Sequence, residues 1–252
     1  MTAPDNDASA LAAVGSEALD RFIDTFNSRD AGAWAASLSY PHVRVSPRRD
    51  SFSTDEREYA EGITYEAADA MGWHHSAWDA KEILAVSPSK IHASAQWCRY
   101  DAAGQRILTN DVSYVITEVD GRWGIQARFG VDSPRPDDPA AAAGRARDAL
   151  LALWEALATP STGDVDRLVR FPFHSVDTGV VHRATAADEL LAHLGDAATE
   201  TPGDVTPHQV GRDGVNLGAL LTGADGRTRH ALFLVGLHGD TPRVAAASLL
   251  PA

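Results

Sequence analysis

Eight consecutive residues, Gly72-Trp-His-His-Ser-Ala-Trp-Asp79, bring together two indoles, two imidazoles and a carboxylate. An imidazole titrates near neutrality and can hold a proton, relay it or orient a water. Indoles offer a broad apolar wall with one polar atom. If the stretch is a strand, its side chains alternate between two faces. His74, Ser76, Trp78, Ala80, Leu84 and Val86 then share one face, and Trp73, His75, Ala77, Asp79 and Lys81 the other. The second set carries most of the charge, so the first is expected to look inward.

The strands that follow extend that face. Ile91, Ala93, Ala95 and Trp97 form one inward row; Leu108, Asn110, Val112, Tyr114 and Ile116 form the next; Trp123, Ile125, Ala127 and Phe129 form the last. An apolar wall with a few polar groups suits a small ligand. His74 would act as the acid–base group, with Tyr114 and Asn110 polarising an oxygen. Trp78 and Trp97 would stack on the ligand. The plainer reading is a half-buried, hydrogen-bonded His74 among core indoles. Arg44 with His42 would suit a carboxylate, whereas taking Val43 and Val45 as the apolar side of their strand turns Arg44 to water. Asp111 and Arg128 are expected to pair across neighbouring strands.

Adjacent strand residues such as His74 and His75 cannot easily share an ion. No His-x-His or Cys-x-x-Cys spacing occurs, so no metal is expected. Neither a phosphate loop nor a dinucleotide fingerprint is present, and no cofactor is expected. The net charge of −13 speaks against nucleic acid and anionic membrane surfaces. Cys98 is the only cysteine, so no intrachain disulfide can form, and a cytoplasmic location is expected. No apolar run reaches the length of a membrane span.

These strands need helices to cover them. Residues 1–15 are expected to be disordered. Leu19, Phe22, Ile23 and Phe26 recur at helical spacing. Asp30 can cap a short helix carrying Trp34 and Leu38, which Tyr40-Pro41 ends. Ser53 and Glu56 suggest a capping box opening a third helix that reaches about Ala70. Asp120-Gly121 marks a tight hairpin. A proline-rich linker over 132–143 follows. The pattern then returns at an offset of 131: Leu150, Leu153, Trp154 and Leu157 repeat the first helix, and Phe171-Pro172 repeats Tyr40-Pro41. The chain thus reads as an internal duplication, with modules over 16–131 and 144–252. The fold class is α+β: two tandem cone-shaped modules, each with N-terminal helices packed on a curved antiparallel sheet. The second module is shorter and is expected to lack a counterpart of the Trp-His strand.

Three stretches carry a resemblance: Ala18-Leu-Asp-Arg-Phe-Ile-Asp-Thr-Phe-Asn-Ser-Arg-Asp30, Tyr40-Pro-His-Val-Arg-Val-Ser-Pro47 and Asp120-Gly-Arg-Trp-Gly-Ile-Gln-Ala-Arg128. Together they resemble the nuclear transport factor 2-like superfamily, which includes ketosteroid isomerase-like and SnoaL-like proteins. The resemblance implies a pocket between sheet and helices. It also implies a small-molecule ligand and a cofactor-free lyase, isomerase or cyclase acting on an apolar oxygenated substrate. The alternative is a non-catalytic ligand-binding or protein-interaction module. Where ketosteroid isomerase-like members carry a carboxylate base, this chain has Ser46, and the second copy has Asp177 in a stretch that reads as a turn. Members often dimerise through their sheets. The duplication would then supply an internal pseudo-dimer, with the chain a monomer or a weak homodimer.

Overall fold

The computed structural model describes residues 3–131, 133–195, 197–239 and 241–251, with side chains from residue 7 onward. Met1 and Thr2 of the expected disordered start, and Asp132 of the expected linker, lie outside the described residues. The chain divides into two compact units. One comprises Met1–Arg44, Ser51–Arg128 and Thr178–Val180; the other comprises Val45–Asp50, Phe129–Asp177 and Val181–Ala252.

The first half of the chain runs α1 (Ala3–Asn27), α2 (Ala31–Ala36), β1 (Leu38–Val45), β2 (Asp50–Ser53), α3 (Glu56–Gly62), α4 (Glu66–Asp69), β3 (His75–Val86), β4 (Lys90–Tyr100), β5 (Arg106–Val119) and β6 (Arg122–Gly130). The second half runs α5 (Pro139–Ala158), α6 (Thr162–Leu168), β7 (Val169–Asp177), β8 (Val180–Ala184), α7 (Ala187–Leu194), β9 (Thr201–Val210), β10 (Gly214–Thr222), β11 (Thr228–Gly236) and β12 (Arg243–Leu249). The sheets have matching orders, β2-β1-β6-β5-β4-β3 and β8-β7-β12-β11-β10-β9. Strands β1 and β7 begin at Leu38 and Val169, 131 residues apart. Both halves are α+β, and their likeness is consistent with tandem duplication.

Helix α1 forms because Ala18, Leu19, Phe22, Ile23 and Phe26 share one buried stripe. It begins at Ala3, so it takes in most of the stretch expected to be disordered. The Asp30 carboxylate accepts from the Ala33 amide and caps α2, as its position suggests. The third helix starts two residues after the expected Ser53 cap: Asp55 caps α3, while Glu58 accepts from the Thr54 amide and hydroxyl. The helical stretch then breaks into α3 and α4. Asp120 and Gly121 both have positive φ, as a tight hairpin turn requires.

Two findings refine the sequence picture. The meanders are antiparallel, but β7 joins its sheet parallel to β12. The second half also has the strand it was expected to lack. Strand β9 pairs antiparallel with β10 and occupies the place β3 holds in the first sheet. Pro202, Gly203 and Pro207 disguise it, and an edge strand tolerates them because one side makes no ladder.

Candidate functional site

In the first unit, β3, β4 and β5 lie side by side and set rows of facing residues. Trp78 faces Trp97, which faces Asn110; Ser76 faces Arg99, which faces Leu108. Ile83, Ala93 and Tyr114 form a further row. The inward sets expected on β4 and β5 are therefore present, with Ala93, Ala95, Trp97, Val112, Tyr114 and Ile116 in one core. On β3 the register slips at Asp79 and again at Leu84. Each slip adds an unpaired residue and reverses the alternation. Ser76, Trp78 and Val86 stay inward, but Lys81 and Ile83 replace the expected Ala80 and Leu84. Lys81 reaches Ser16 and Asp20 on α1.

His74 does not join this interior. It precedes the strand, its amide bonds the Tyr100 carbonyl, and its exposed ring meets that of His75, with the two Nδ1 atoms 3.2 Å apart. The strand begins at His75, so its alternation does not extend to His74. Trp73, expected on the outer face, is the residue that turns in from the preceding turn and joins the core. Its indole Nε1–H donates to the Ser76 hydroxyl at 3.0 Å. Asn27 at the end of α1 fastens the same point twice. Its side-chain amide donates to the Ser76 carbonyl, and its Oδ1 accepts from the Ser76 amide, each at 2.8 Å. Asn27→Ala removes both bonds and is expected to cost about 1–2 kcal/mol, since each is worth roughly 0.5–1.5 kcal/mol net. Urea unfolding read by tryptophan fluorescence checks this; an unchanged midpoint would show that α1 does not anchor β3 here.

Over these rows lies a box of rings. Phe26 sits 4.7 Å from both Trp34 and Trp73, Trp34 lies 5.5 Å from Tyr59, and Tyr65 stacks on Trp73 at 5.9 Å. Trp78 meets Tyr114 edge-on at 5.8 Å. His42 enters from β1, edge-on to Tyr59 at 5.3 Å. Tyr40 and His42 therefore lie on the inward side of β1, and Arg44 shares their phase. That corrects the inference from Val43 and Val45, which are buried but outside this core. His42 is 1% exposed, and its Nδ1–H donates to the Ile125 carbonyl at 2.9 Å. Burial, then the Arg44 charge and more weakly that of Arg128, hold the imidazole down at about 3. The ring is thus neutral at neutral pH, with its Nε2 lone pair buried and lacking a hydrogen-bond partner.

Two residues of this interior carry no binding role in the sequence-based picture. Arg99 places its guanidinium 5.5 Å from the Phe26 ring and 5.4 Å from Trp97. Arg128 lies 5.3 Å from Phe22 and 5.7 Å from Tyr114. Arg99 had a visible signal, because it continues the inward row Ile91, Ala93, Ala95, Trp97. Arg128 had none. It reaches the same interior as Ile125, three residues earlier, which a strict two-residue alternation does not place on one side. The expected Asp111–Arg128 pair does not form; Asp111 instead accepts from the Gln96 amide at 2.8 Å.

The second unit differs inside. Its core is mostly Ala, Leu and Val, and Phe173 stands 131 residues after His42, 1% exposed within that core. The Trp154 indole donates to the Glu200 carbonyl. Asp177 ends β7 beside Gly179, whose φ is +71, so the turn reading holds. Asp177, His182 and His193 nevertheless bring ligand atoms within 4.8 Å of one another, from two strands and a helix that no local spacing links. A cleft of about 400 Å³ also opens in this unit, lined by Pro47, Arg170, Gly236, His238 and Arg243. Its Arg170 is already paired with Asp50.

Residues 15–131 match the family of NTF2-like proteins designated DUF6841. This stretch is similar to NTF2-like proteins. Similar solved structures each align with about half of the chain. An NTF2-like protein from Shewanella oneidensis is 16% identical over 46% of this chain and 95% of its own, with a TM-score of 0.38. A ketosteroid isomerase-like protein from Erwinia carotovora atroseptica is 19% identical over 49% and 97%, at 0.37. A protein from Catenulispora acidiphila, in complex with S-DNPA, is 15% identical over 48% and 94%, at 0.40. No curated protein matches the chain. Among the described residues, no helix is long and apolar enough to cross a membrane.

Proposed function

We propose that the NTF2-like module binds a small aromatic or otherwise apolar molecule between α1, α3 and the inward face of β3–β6, and that the second unit is its structural mate. One observation carries this reading. The Trp34, Trp78 and Trp97 indole nitrogens, the Tyr59 and Tyr65 hydroxyls and His42 Nε2 are all buried without a hydrogen-bond partner. Buried polar atoms are nearly always satisfied, so several orphans in one aromatic interior mark a place where acceptors and donors are supplied from outside. Phe173 in place of His42 supports assigning the binding to the first module alone.

Binding is favoured over acid–base catalysis. A general base works best with a pKa near the working pH. His42, held at about 3, is a weak base but a good neutral acceptor for a ligand hydroxyl or N–H. Trp78, Trp97 and Asn110 keep the binding roles that their inward positions suit, Tyr114 takes a binding role in place of a catalytic one, and exposed His74 is given none.

Tyr59→Phe tests the idea without changing shape. Removing a hydroxyl that lacks a partner should leave stability within about 0.5 kcal/mol of wild type or slightly above it. The same change should weaken a bound neutral aromatic amide, such as 1-naphthamide, by about three- to tenfold in isothermal titration. A loss of more than about 1 kcal/mol of stability with no effect on titration would make Tyr59 a plain core residue and defeat the proposal.

A further inference from the structure

We propose that the ligand of this module carries a carboxylate, and that Arg99 and Arg128 hold it as a pair. This deepens the binding reading and rests on it. Arg128 is 7% exposed and Arg99 is half-buried, and the Nε of each is buried without a hydrogen-bond partner. Among the described residues, neither guanidinium makes an ion pair or hydrogen bond. Each is flanked instead by an α1 phenyl ring and a sheet aromatic: Phe26 with Trp97, and Phe22 with Tyr114. Phe22 and Phe26 lie one turn apart on α1, which brings the cations into each other's field. Burial, and secondarily the Arg128 charge, lower the Arg99 pKa.

Two like charges withdrawn from water without a counter-charge are costly, and ring faces compensate only part of that cost. A chain that keeps both positions as arginine gains from them when an anion arrives. The planar fork of N–H donors fits a carboxylate, with two parallel bonds to its oxygens. The surrounding rings fit the apolar body to which the carboxylate is attached. Lys81 does not compete for it, since Asp20 already holds that ammonium at 2.5 Å. A phosphate monoester shares the oxyanion chemistry and the fit to an arginine fork, so a phosphate arm in the test separates it from a carboxylate.

The test is a set of matched probes on the full chain: benzoate, indole-3-acetate and 1-naphthoate against their carboxamides, with 1-naphthyl phosphate as a further arm, all by isothermal titration. At least one carboxylate should bind with one site per chain, about tenfold or more tightly than its amide. Arg128→Met and Arg99→Met should each abolish that preference while leaving amide affinity within about threefold. Arg128→Lys, with charge but no fork, should recover only part of it. Amides that bind as well as their acids in wild type would overturn the carboxylate inference and leave the binding module standing. A preference for the phosphate over the carboxylates would also overturn it. No saturable binding by any probe up to about 1 mM would overturn both readings together.

Discussion

Replacing Arg128 with methionine will raise the stability of the ligand-free chain by about 1–3 kcal/mol. The prediction runs against the usual result, in which most substitutions at buried positions destabilise. Methionine has nearly the length of the arginine stem, fills irregular gaps and has no charge to solvate. What it removes is a cation that is 7% exposed with no anion beside it among the described residues. What it forfeits is two contacts with the Phe22 and Tyr114 rings, each worth roughly 0.5–2 kcal/mol. Relief of an uncompensated buried charge is the larger effect, because effective desolvation costs several kcal/mol per ion even after relaxation. In a scanning experiment the gain corresponds to about 2–4 °C per kcal/mol for a domain of this size. A saturating carboxylate should reverse the order, stabilising wild type and leaving the methionine variant unmoved. If the variant melts below wild type by a comparable amount, the guanidinium is already satisfied in the free protein, and the case for an absent anion fails.

Such a trade between stability and binding is the mark of a site, and it explains which parts of this protein the sequence makes legible. The fold is written in repeated apolar spacings, and packing rewards them twice. Leu19, Phe22, Ile23 and Phe26 return as Leu150, Leu153, Trp154 and Leu157, all buried. The rows on β4 and β5 alternate without interruption through most of their length, so Trp97, Asn110 and Tyr114 fall where period-two reasoning puts them. The site is harder to read because it depends on where that period fails. Slips at Asp79 and Leu84 reverse β3, and Arg128 reaches the same interior as Ile125 against a strict alternation. No residue type announces those bulges. His74 was the most conspicuous residue in the chain and sits in solvent, while an arginine expected on the outer face lies inside. Strand β9 shows the same limit from another side. Its prolines argue against a strand locally, and only the β10 ladder beside it decides the matter.

Acid should unfold the first module early, and His42 should account for much of the effect. Its imidazole has an ordinary value of 6.5 and is held at about 3 when folded. A histidine whose folded pKa is depressed takes up its proton more readily in the unfolded chain. The stabilising contribution of the neutral ring is therefore complete above 6.5 and is lost progressively as pH falls toward 3. Between about pH 7 and pH 5 the loss is about 2 kcal/mol, because the unfolded histidine becomes almost fully protonated over that interval and the folded one does not. His230, held at about 4 by burial and His208, and His193, lowered by burial and His182, add losses of the same sign in the second unit. The His42→Phe variant separates them, since it installs the residue that the second half carries at the matching position. Urea midpoints for wild type and variant, followed across that range, should diverge. The variant is expected to show a slope shallower by about 2 kcal/mol in total, with the residual slope belonging to the other titrating groups. Parallel curves would mean that His42 protonates in place, with water reaching its Nε2 in the folded state. The buried acceptor on which ligand recognition depends would then be no acceptor at all, whereas divergence would leave it neutral and available across the whole range in which the protein is folded.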